Sequence, residues 1–145
     1  GGDEINEIVS YNHYGWPYYA YGFDYDYLDK FRYPHENGYK KPLFYFTPSI
    51  GISEIIFYQG DEFKRWKNKF IVSSLKDNSL YLLDYDLDEN KIISSERINI
   101  GHRIRDLIEM PNGLLVLATD DQKIIILSNS SSQKVNFNKK IPLPS

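Results

Sequence analysis

Three short apolar runs separated by turn signals make up residues 104–127, which have the sequence IRDLIEMPNGLLVLATDDQKIIIL. Asn112–Gly113 between two of these runs is a strong hairpin signal, because both residues tolerate the positive φ that a type I′ turn requires. The residues Asp120–Gln122 separate the next two runs in the same way. The stretch therefore predicts three antiparallel strands joined by two tight turns.

The same pattern extends back to residue 52. Runs rich in Ile, Leu, Val and Tyr alternate with turns, and the full set is Ile52 to Tyr58, Lys69 to Ser73, Ser79 to Asp84, Lys91 to Ile100, Ile104 to Met110, Leu114 to Thr119 and Lys123 to Leu127. Short strands at this spacing are typical of antiparallel sandwiches, barrels and propellers. The only helix candidate, Glu62 to Asn68, is about one turn long, so the predicted fold class is all-β.

The number of predicted strands implies that some strand edges are left unpaired. Seven strands, with one or two more in the first 50 residues, amount to about two four-stranded blades, which cannot close into a ring. Because open blades leave unpaired backbone groups, we expect a homo-oligomer or pairing with a missing N-terminal half. The Ser/Asn/Lys-rich residues 129–145 predict a loose tail after a domain over residues 1–128.

Composition excludes several classes of protein. The net charge of −3 without basic blocks argues against nucleic acid as a partner, and the short apolar runs argue against a membrane span. The absence of Cys excludes disulfides, thiolate metal sites and thiol nucleophiles. The only Met is Met110 and the chain opens on Gly1–Gly2, so we expect a processed or truncated product.

The first 50 residues are unusually aromatic. Ten of the 13 Tyr residues fall between Tyr11 and Tyr45, interleaved with Gly, Pro and Asp. This mixture disfavours helix. It predicts either a long loop packed by its own rings or the wall of a ligand site.

An ordered series of short segments over residues 1–128 resembles the soluble aldose sugar dehydrogenases of the glucose/sorbosone dehydrogenase family. The segments are Gly1–Asn6, Tyr14–Pro17, Tyr21–Tyr25, Phe44–Ser49, Phe57–Gly60, Trp66, Ser74–Lys76, Gly101–Asp106, Pro111–Gly113 and Leu117–Asp120. The resemblance implies four-stranded antiparallel blades that form about two to three blades of a six-bladed β-propeller. It also implies pyrroloquinoline quinone (PQQ) and Ca²⁺ as cofactors, an aldose as the substrate, and a periplasmic or secreted location.

The resemblance covers only the C-terminal part of such an enzyme. In the family, a Gly-Pro-Gln segment just before the matching Gly1–Asp3 helps to hold the metal at the quinone, and the catalytic base is a His much earlier in the chain. His13, His35 and His102 do not occupy that position, so we nominate no catalytic residue. We expect a quinoprotein sugar dehydrogenase whose C-terminal half-site is present here, and we expect this chain alone to be inactive.

Two arginines are the first candidates for cofactor binding. Arg103 and Arg105 lie two residues apart on a predicted strand or at its entry, so we expect their side chains to share a face and to offer donor forks suited to carboxylates. The alternative is that they form surface salt bridges with Asp106 or Glu109. The resemblance favours the first interpretation, because the family uses the matching Lys, Arg-x-Arg and Thr to hold PQQ, which is a tricarboxylate.

The resemblance assigns further residues to the same cofactor. Phe46 stands where relatives usually carry Trp, and Tyr25 matches a ring at the cofactor edge in some relatives, although loop packing explains it equally well. The full set of expected cofactor-binding residues is Lys76, Arg103, Arg105, Thr119, Phe46, Thr47 and Tyr25.

A calcium site is the second expectation from the resemblance. Calcium takes six to eight oxygen ligands, including carboxylates and backbone carbonyls. Relatives bind a structural calcium through the residues that match Glu4, Tyr14 and Ala20, and in some of them Asp24. Without the resemblance, Glu4 and Asp24 would be interpreted as solvated carboxylates.

A function of another class stays open. A non-catalytic half-propeller would act as a ligand-binding or protein-interaction module, and its exposed blade edges would favour pairing. The sequence upstream of Gly1 separates the two hypotheses, because only the enzyme requires a His-bearing N-terminal half.

Overall fold

The computed structural model describes residues 2–8 and 40–130. Its strands are β1 Asp3–Ile5, β2 Phe44–Phe46, β3 Ile52–Phe57, β4 Lys69–Ser74, β5 Ser79–Asp86, β6 Lys91–Asn99, β7 Ile104–Glu109, β8 Leu115–Thr119 and β9 Ile124–Leu127. The helical element in this part of the chain is a 3₁₀ turn, Lys64–Trp66. All seven strands predicted from residue 52 onward are confirmed, with ends that differ by one or two residues.

The strands form three antiparallel sheets. β1 pairs with β2, β3 to β6 form a four-stranded sheet in chain order, and β7 to β9 form a three-stranded sheet in chain order. The four-stranded sheet is the predicted antiparallel blade, and the meander order is that of a propeller blade. The fold is therefore all-β, and its blades are those of a partial propeller.

The hairpin between β7 and β8 forms where the Asn-Gly pair predicts it, but the predicted type I′ turn is wrong. Gly113 has φ of 85°, whereas Asn112 does not have a positive φ. The Gly113 N–H donates to the Met110 carbonyl at 2.8 Å. Because Pro111 fixes its own φ near −65°, the chain makes a type I turn followed by a left-handed glycine.

The core lies on both faces of the four-stranded sheet. Neighbouring residues of a strand point to opposite faces, so Ile71 and Val72 of β4, both fully buried, belong to different clusters. Ile71 packs in a cluster with Leu107 and Leu117 of the next sheet. Val72 packs in a cluster with Ile5 and Phe46 from β1 and β2. The sheets therefore stack face to face, as neighbouring blades do.

Two hydrogen bonds fix how the two larger sheets lie against each other. At the start of β3, the Ser53 hydroxyl donates to the Ile104 carbonyl at the start of β7 at 2.6 Å. Beyond the other end of β3, the Tyr58 hydroxyl donates to the Gly113 carbonyl at 2.7 Å. β3 and β7 therefore run side by side in the same direction. We call the end where they begin the upper end and the opposite one the lower end.

No helix in the described part of the chain is long and apolar enough to cross a membrane.

Candidate functional site

Six of the seven residues that the sequence predicts to bind the cofactor are described, and these six lie toward the upper end. β3 and β7 begin there, and β4 and β8 end there. Both β3 and β7 carry a bulge close to this end, between Ile52 and Glu54 and between Ile104 and Asp106. A bulge interrupts the regular alternation of side chains between the two faces of a strand. In β7 the extra residue of the bulge is Arg105.

A cleft of about 360 Å³ opens at the upper end. Three of the predicted cofactor residues, Phe46, Thr47 and Lys76, lie in its wall. The remaining lining residues are Pro48, Ser49, Ile50, Asp77 and Tyr81. The Phe46 ring is only 7% exposed and meets the Tyr81 ring edge-on at 4.9 Å, so it forms a floor rather than an exposed platform.

The cation in this cleft is Lys76, an exposed residue of the β4–β5 connection. The next residue, Asp77, is engaged elsewhere: the Tyr81 hydroxyl and Arg97 Nε, the latter at 2.7 Å, donate to its Oδ2. These two hydrogen bonds, that of Tyr81 first, hold the pKa of Asp77 below its ordinary value. Among the described residues no carboxylate forms an ion pair with Lys76, so its charge is available to a ligand.

Arg103 and Arg105 converge on one carboxylate at the start of β7. Arg103 Nε donates to Asp120 Oδ2 at 2.9 Å, and Arg105 Nε donates to Oδ1 of the same residue. The hydrogen bond from Arg105, followed by that from Arg103, lowers the pKa of Asp120. Two guanidiniums against one carboxylate leave one net positive charge, and the arginine side chains are 55% and 63% exposed.

The two arginines lie on the same side, as predicted, but the bulge between Ile104 and Asp106 breaks the regular alternation on which that prediction rested. They do not pair with Asp106 or Glu109. Glu109 Oε1 instead accepts the Gln59 and Gly60 N–H groups at 3.0 and 2.8 Å at the lower end. The partner that sequence reasoning missed is Asp120. Asp120 directly follows β8, and the antiparallel pairing of β7 with β8 places it opposite the start of β7. This position is the feature that could have identified it as the partner.

Thr119 has a partner within its own turn. Its hydroxyl lies 2.6 Å from Asp121 Oδ1 and accepts the Lys123 N–H at 3.0 Å, and the residue is 6% exposed. Asp121 Oδ2 also lies 3.1 Å from His102 Nδ1. The hydrogen bond from Thr119, with that from Lys123 second, holds the pKa of Asp121 far below its ordinary value. The Thr119 hydroxyl therefore closes the β8–β9 turn, and its contact with a cofactor stays a prediction.

The loop before β3 forms another wall of the cleft and is held by a residue that sequence reasoning missed. Asp3 accepts hydrogen bonds from the Ser49 hydroxyl and from the Ile50 and Gly51 N–H groups, all at 2.9 Å. The only signal in the sequence is that Asp3 belongs to the Gly1–Asn6 segment of the resemblance.

Most of the predicted calcium site lies outside the described residues. This applies to Tyr14, Ala20 and Asp24, and also to Tyr25 of the predicted cofactor set. Glu4 is described, and its Oε2 accepts a hydrogen bond from Asn6 Nδ2 at 3.3 Å. Within residues 2–8 and 40–130 no three His, Asp or Glu side chains converge as a metal-binding group. The calcium site stays a prediction.

A second, more open cleft of about 640 Å³ lies at the lower end. Phe63 and Trp66 stack there with ring centroids 4.3 Å apart, beside Lys64 and Arg65. The predicted cofactor residues that the structure describes do not line it. This cleft contains two basic side chains, Lys64 and Arg65, together with Asp61 and Glu62, and it serves for comparison with the upper end.

Comparison with known proteins gives a consistent set of relatives. The sequence model of the family described as Glucose / Sorbosone dehydrogenase matches residues 1–128. Aldose sugar dehydrogenase YliI of Escherichia coli (strain K12) is 34% identical over 128 residues, which is 83% of this chain and 33% of that protein. The chain therefore spans about a third of this relative.

Solved structures agree with the sequence comparison. A crystal structure of a glucose dehydrogenase matches with a TM-score of 0.76 at 32% identity, covering 91% of this chain and 39% of that one. The soluble aldose sugar dehydrogenase (Asd) from Escherichia coli matches with a TM-score of 0.76 at 29% identity, covering 89% of this chain and 39% of that one.

Proposed function

The chain belongs to the glucose/sorbosone dehydrogenase family, and we propose that it supplies the anion-binding part of a PQQ site in an aldose dehydrogenase. The observation that carries the proposal is the presence of Lys76, Arg103 and Arg105 at one end of two adjacent blades. Within the described residues a single carboxylate, Asp120, pairs with any of these three cations.

The donor set fits PQQ, which is a tricarboxylate with an o-quinone. Both arginines bind Asp120 through Nε. Their terminal nitrogens can therefore face a ligand carboxylate while Asp120 keeps the guanidiniums together. Lys76 adds a point charge on a flexible stem, which suits a carboxylate or a quinone oxygen. The floor formed by Phe46 gives the flat ring system an apolar surface.

PQQ, if held by these residues, would supply the hydride acceptor for oxidation of the sugar at C1. The residues of this chain would bind and orient the cofactor, and their positive charge would stabilise its more negative reduced state. The base that takes the proton of the anomeric hydroxyl is not among the residues we assign. We therefore expect this chain to bind the cofactor weakly and to have no dehydrogenase activity by itself.

An equilibrium titration with PQQ tests the proposal. The parent chain should bind with a dissociation constant on the order of micromolar to millimolar, because only part of the site is present. The double substitution Arg103→Ala/Arg105→Ala should weaken binding about tenfold or more, since charge-assisted hydrogen bonds are lost. The matched control is Lys64→Ala/Arg65→Ala, which removes the same charge at the lower end.

Equal binding by the parent and the Arg103→Ala/Arg105→Ala variant would contradict the proposal and would make these arginines ordinary surface charges. Equal weakening by the two double variants would show that net charge alone attracts the anion. Either result removes the upper end as a cofactor site.

One observation favours the alternative function, a non-catalytic interaction module. Within residues 40–130 the sheet β7–β9 has three strands where β3–β6 has four, and its last described strand, β9, exposes Ile124 by 66% and Ile126 by 48%. An edge with exposed isoleucines favours addition of a further strand. We therefore propose that the chain pairs through β9, either with another copy or with an N-terminal half. Sedimentation that shows a stable monomer at high concentration would contradict self-pairing.

The sequence that precedes Gly1 in the gene discriminates between the two functions. A segment encoding a His-bearing N-terminal half, with Gly-Pro-Gln directly before Gly1, supports the enzyme. A stop codon or an unrelated domain supports the module. A periplasmic or secreted location belongs to the enzyme hypothesis and is tested by cell fractionation of the natural host.

A further inference from the structure

We propose that Asp3 is a positioning residue for the cofactor cleft, a role that rests on the proposed function. Asp3 lies on β1, which pairs with β2 and not with the sheets that carry the cations. Its carboxylate nevertheless reaches the loop before β3, 46 to 48 residues further along the chain. This long-range contact orders one wall of the cleft.

The carboxylate of Asp3 accepts hydrogen bonds from three different groups of one loop. Ser49 Oγ lies 2.9 Å from both carboxylate oxygens, and the Ile50 and Gly51 N–H groups both donate to Oδ2 at 2.9 Å. Hydrogen bonds to a charged acceptor are shorter and stronger than neutral ones. The contact therefore fixes the backbone path of residues 49–51.

That loop is in turn bonded to the segment that carries Lys76. The Ile50 carbonyl accepts the Lys76 N–H at 3.0 Å, and the Gly51 carbonyl accepts the Leu75 N–H at 2.8 Å. Gly51 has φ of +66°, and a Cβ at this position would lie 3.4 Å from the Lys76 nitrogen. Asp3 therefore acts on Lys76 through the backbone of the loop, and the close approach of the two segments makes this connection stiff.

The sign of the Asp3 charge separates a geometric role from an electrostatic one. A negative charge beside a cleft weakens the binding of an anion, so removing that charge would by Coulomb's law strengthen binding. A geometric role predicts the opposite for any substitution that also removes the hydrogen-bond acceptors. Asn removes the charge but keeps one acceptor oxygen, and its NH₂ can donate to Ser49 Oγ.

The experiment compares three variants of the 145-residue chain by PQQ titration and by amide hydrogen exchange. We expect Asp3→Ala to weaken PQQ binding about tenfold, and Asp3→Asn to bind within about threefold of the parent. The matched control is Glu109→Ala, which removes a carboxylate that also holds two backbone N–H groups, but at the lower end. This control should leave the affinity unchanged.

Hydrogen exchange reports on the same role without the cofactor. In Asp3→Ala the amides of Leu75 and Lys76 should exchange about tenfold faster, since their acceptors are in the released loop. In Glu109→Ala these two amides should exchange at the parent rate.

The other outcomes of these two measurements also bear on the positioning role of Asp3. Unchanged or stronger PQQ binding by Asp3→Ala, or equal weakening by Asp3→Asn or by Glu109→Ala, overturns the positioning role. If the parent binds no PQQ, the proposed function fails, and exchange at Leu75 and Lys76 alone decides whether Asp3 orders this wall. Unchanged exchange at both amides overturns the inference.

Discussion

Because the two larger sheets approach each other closely at the lower end, we expect a substitution at Gly60 to lower the stability of the fold strongly. A Cβ added at Gly60 would lie 2.6 Å from the Gly113 Cα and 2.7 Å from the Tyr58 hydroxyl oxygen. The first neighbour is backbone and the second is a fully buried ring that donates to the Gly113 carbonyl. Gly60→Ala must therefore separate the two sheets or break this hydrogen bond.

The expected cost of Gly60→Ala has two parts. Overpacking a well-packed site costs about 1–3 kcal/mol. Leaving the buried Gly113 carbonyl unpaired costs about 1–3 kcal/mol more. We therefore expect the free energy of unfolding to fall by about 2–6 kcal/mol, with a fall of the Tm of about 3–4 °C for each kcal/mol in a domain of this size.

The matched control for Gly60→Ala is Gly101→Ala. Gly101 has φ of +80° and no atom within 4 Å of an added Cβ, so this substitution adds backbone strain without a clash. It should cost about 1–2 kcal/mol. Urea unfolding followed by circular dichroism measures both variants. Gly60→Ala as stable as Gly101→Ala, or more stable, would refute the argument from close approach.

A double-substitution cycle tests the physical reason directly. Tyr58→Phe removes the hydroxyl that the new Cβ would meet, and it also breaks the bond to Gly113. The cost of Tyr58→Phe/Gly60→Ala should therefore be smaller than the sum of the single costs by about 1 kcal/mol or more. Additive costs would mean that the hydroxyl is not part of the conflict.

Three further predictions concern the core, the carboxylate of Asp77 in the cofactor cleft and the calcium site. Leu117→Ala, at a fully buried position, should lower the free energy of unfolding by about 2–5 kcal/mol in urea titrations. The hydrogen bonds from Tyr81 and Arg97 place the folded-state pKa of Asp77 below its unfolded value, so the stability that Asp77 contributes is present above the unfolded pKa and is lost as the pH falls through the folded pKa. Asp77→Asn should flatten this acid limb, and an unchanged limb in thermal melts at several pH values would contradict the assignment. Glu4→Gln should lower the affinity for Ca²⁺, and a Tm of the parent chain that does not respond to added Ca²⁺ would exclude the site.

The positions of the strands could be predicted from the sequence, because each depends on residues that are neighbours in the chain. β8 alternates buried and half-buried residues from Leu115 to Thr119, as the period of a strand requires. The hairpin position also followed from a local signal. The turn type did not, since the fixed φ of Pro111 outweighs the preference of Asn112 and Gly113.

Pairings across the chain were not accessible in this way. The spacing of Arg103 and Arg105 predicts a shared side, but the bulge at Arg105 and the identity of their partner both depend on how β7 pairs with β8. The same holds for Asp3, whose partners lie 46 to 48 residues away. Such contacts are set by the packing of sheets, and a single sequence without structure leaves several candidate partners for each charge.

Nuclear magnetic resonance of the ¹⁵N-labelled chain, titrated with PQQ, tests the central claim most directly, since it shows where the cofactor binds. We expect the largest shifts at the upper end, at the amide of Lys76 and at the Nε–H groups of Arg103 and Arg105. Shifts centred instead on Lys64–Trp66 at the lower end, or no shifts at millimolar PQQ, would contradict the assignment of the cofactor site.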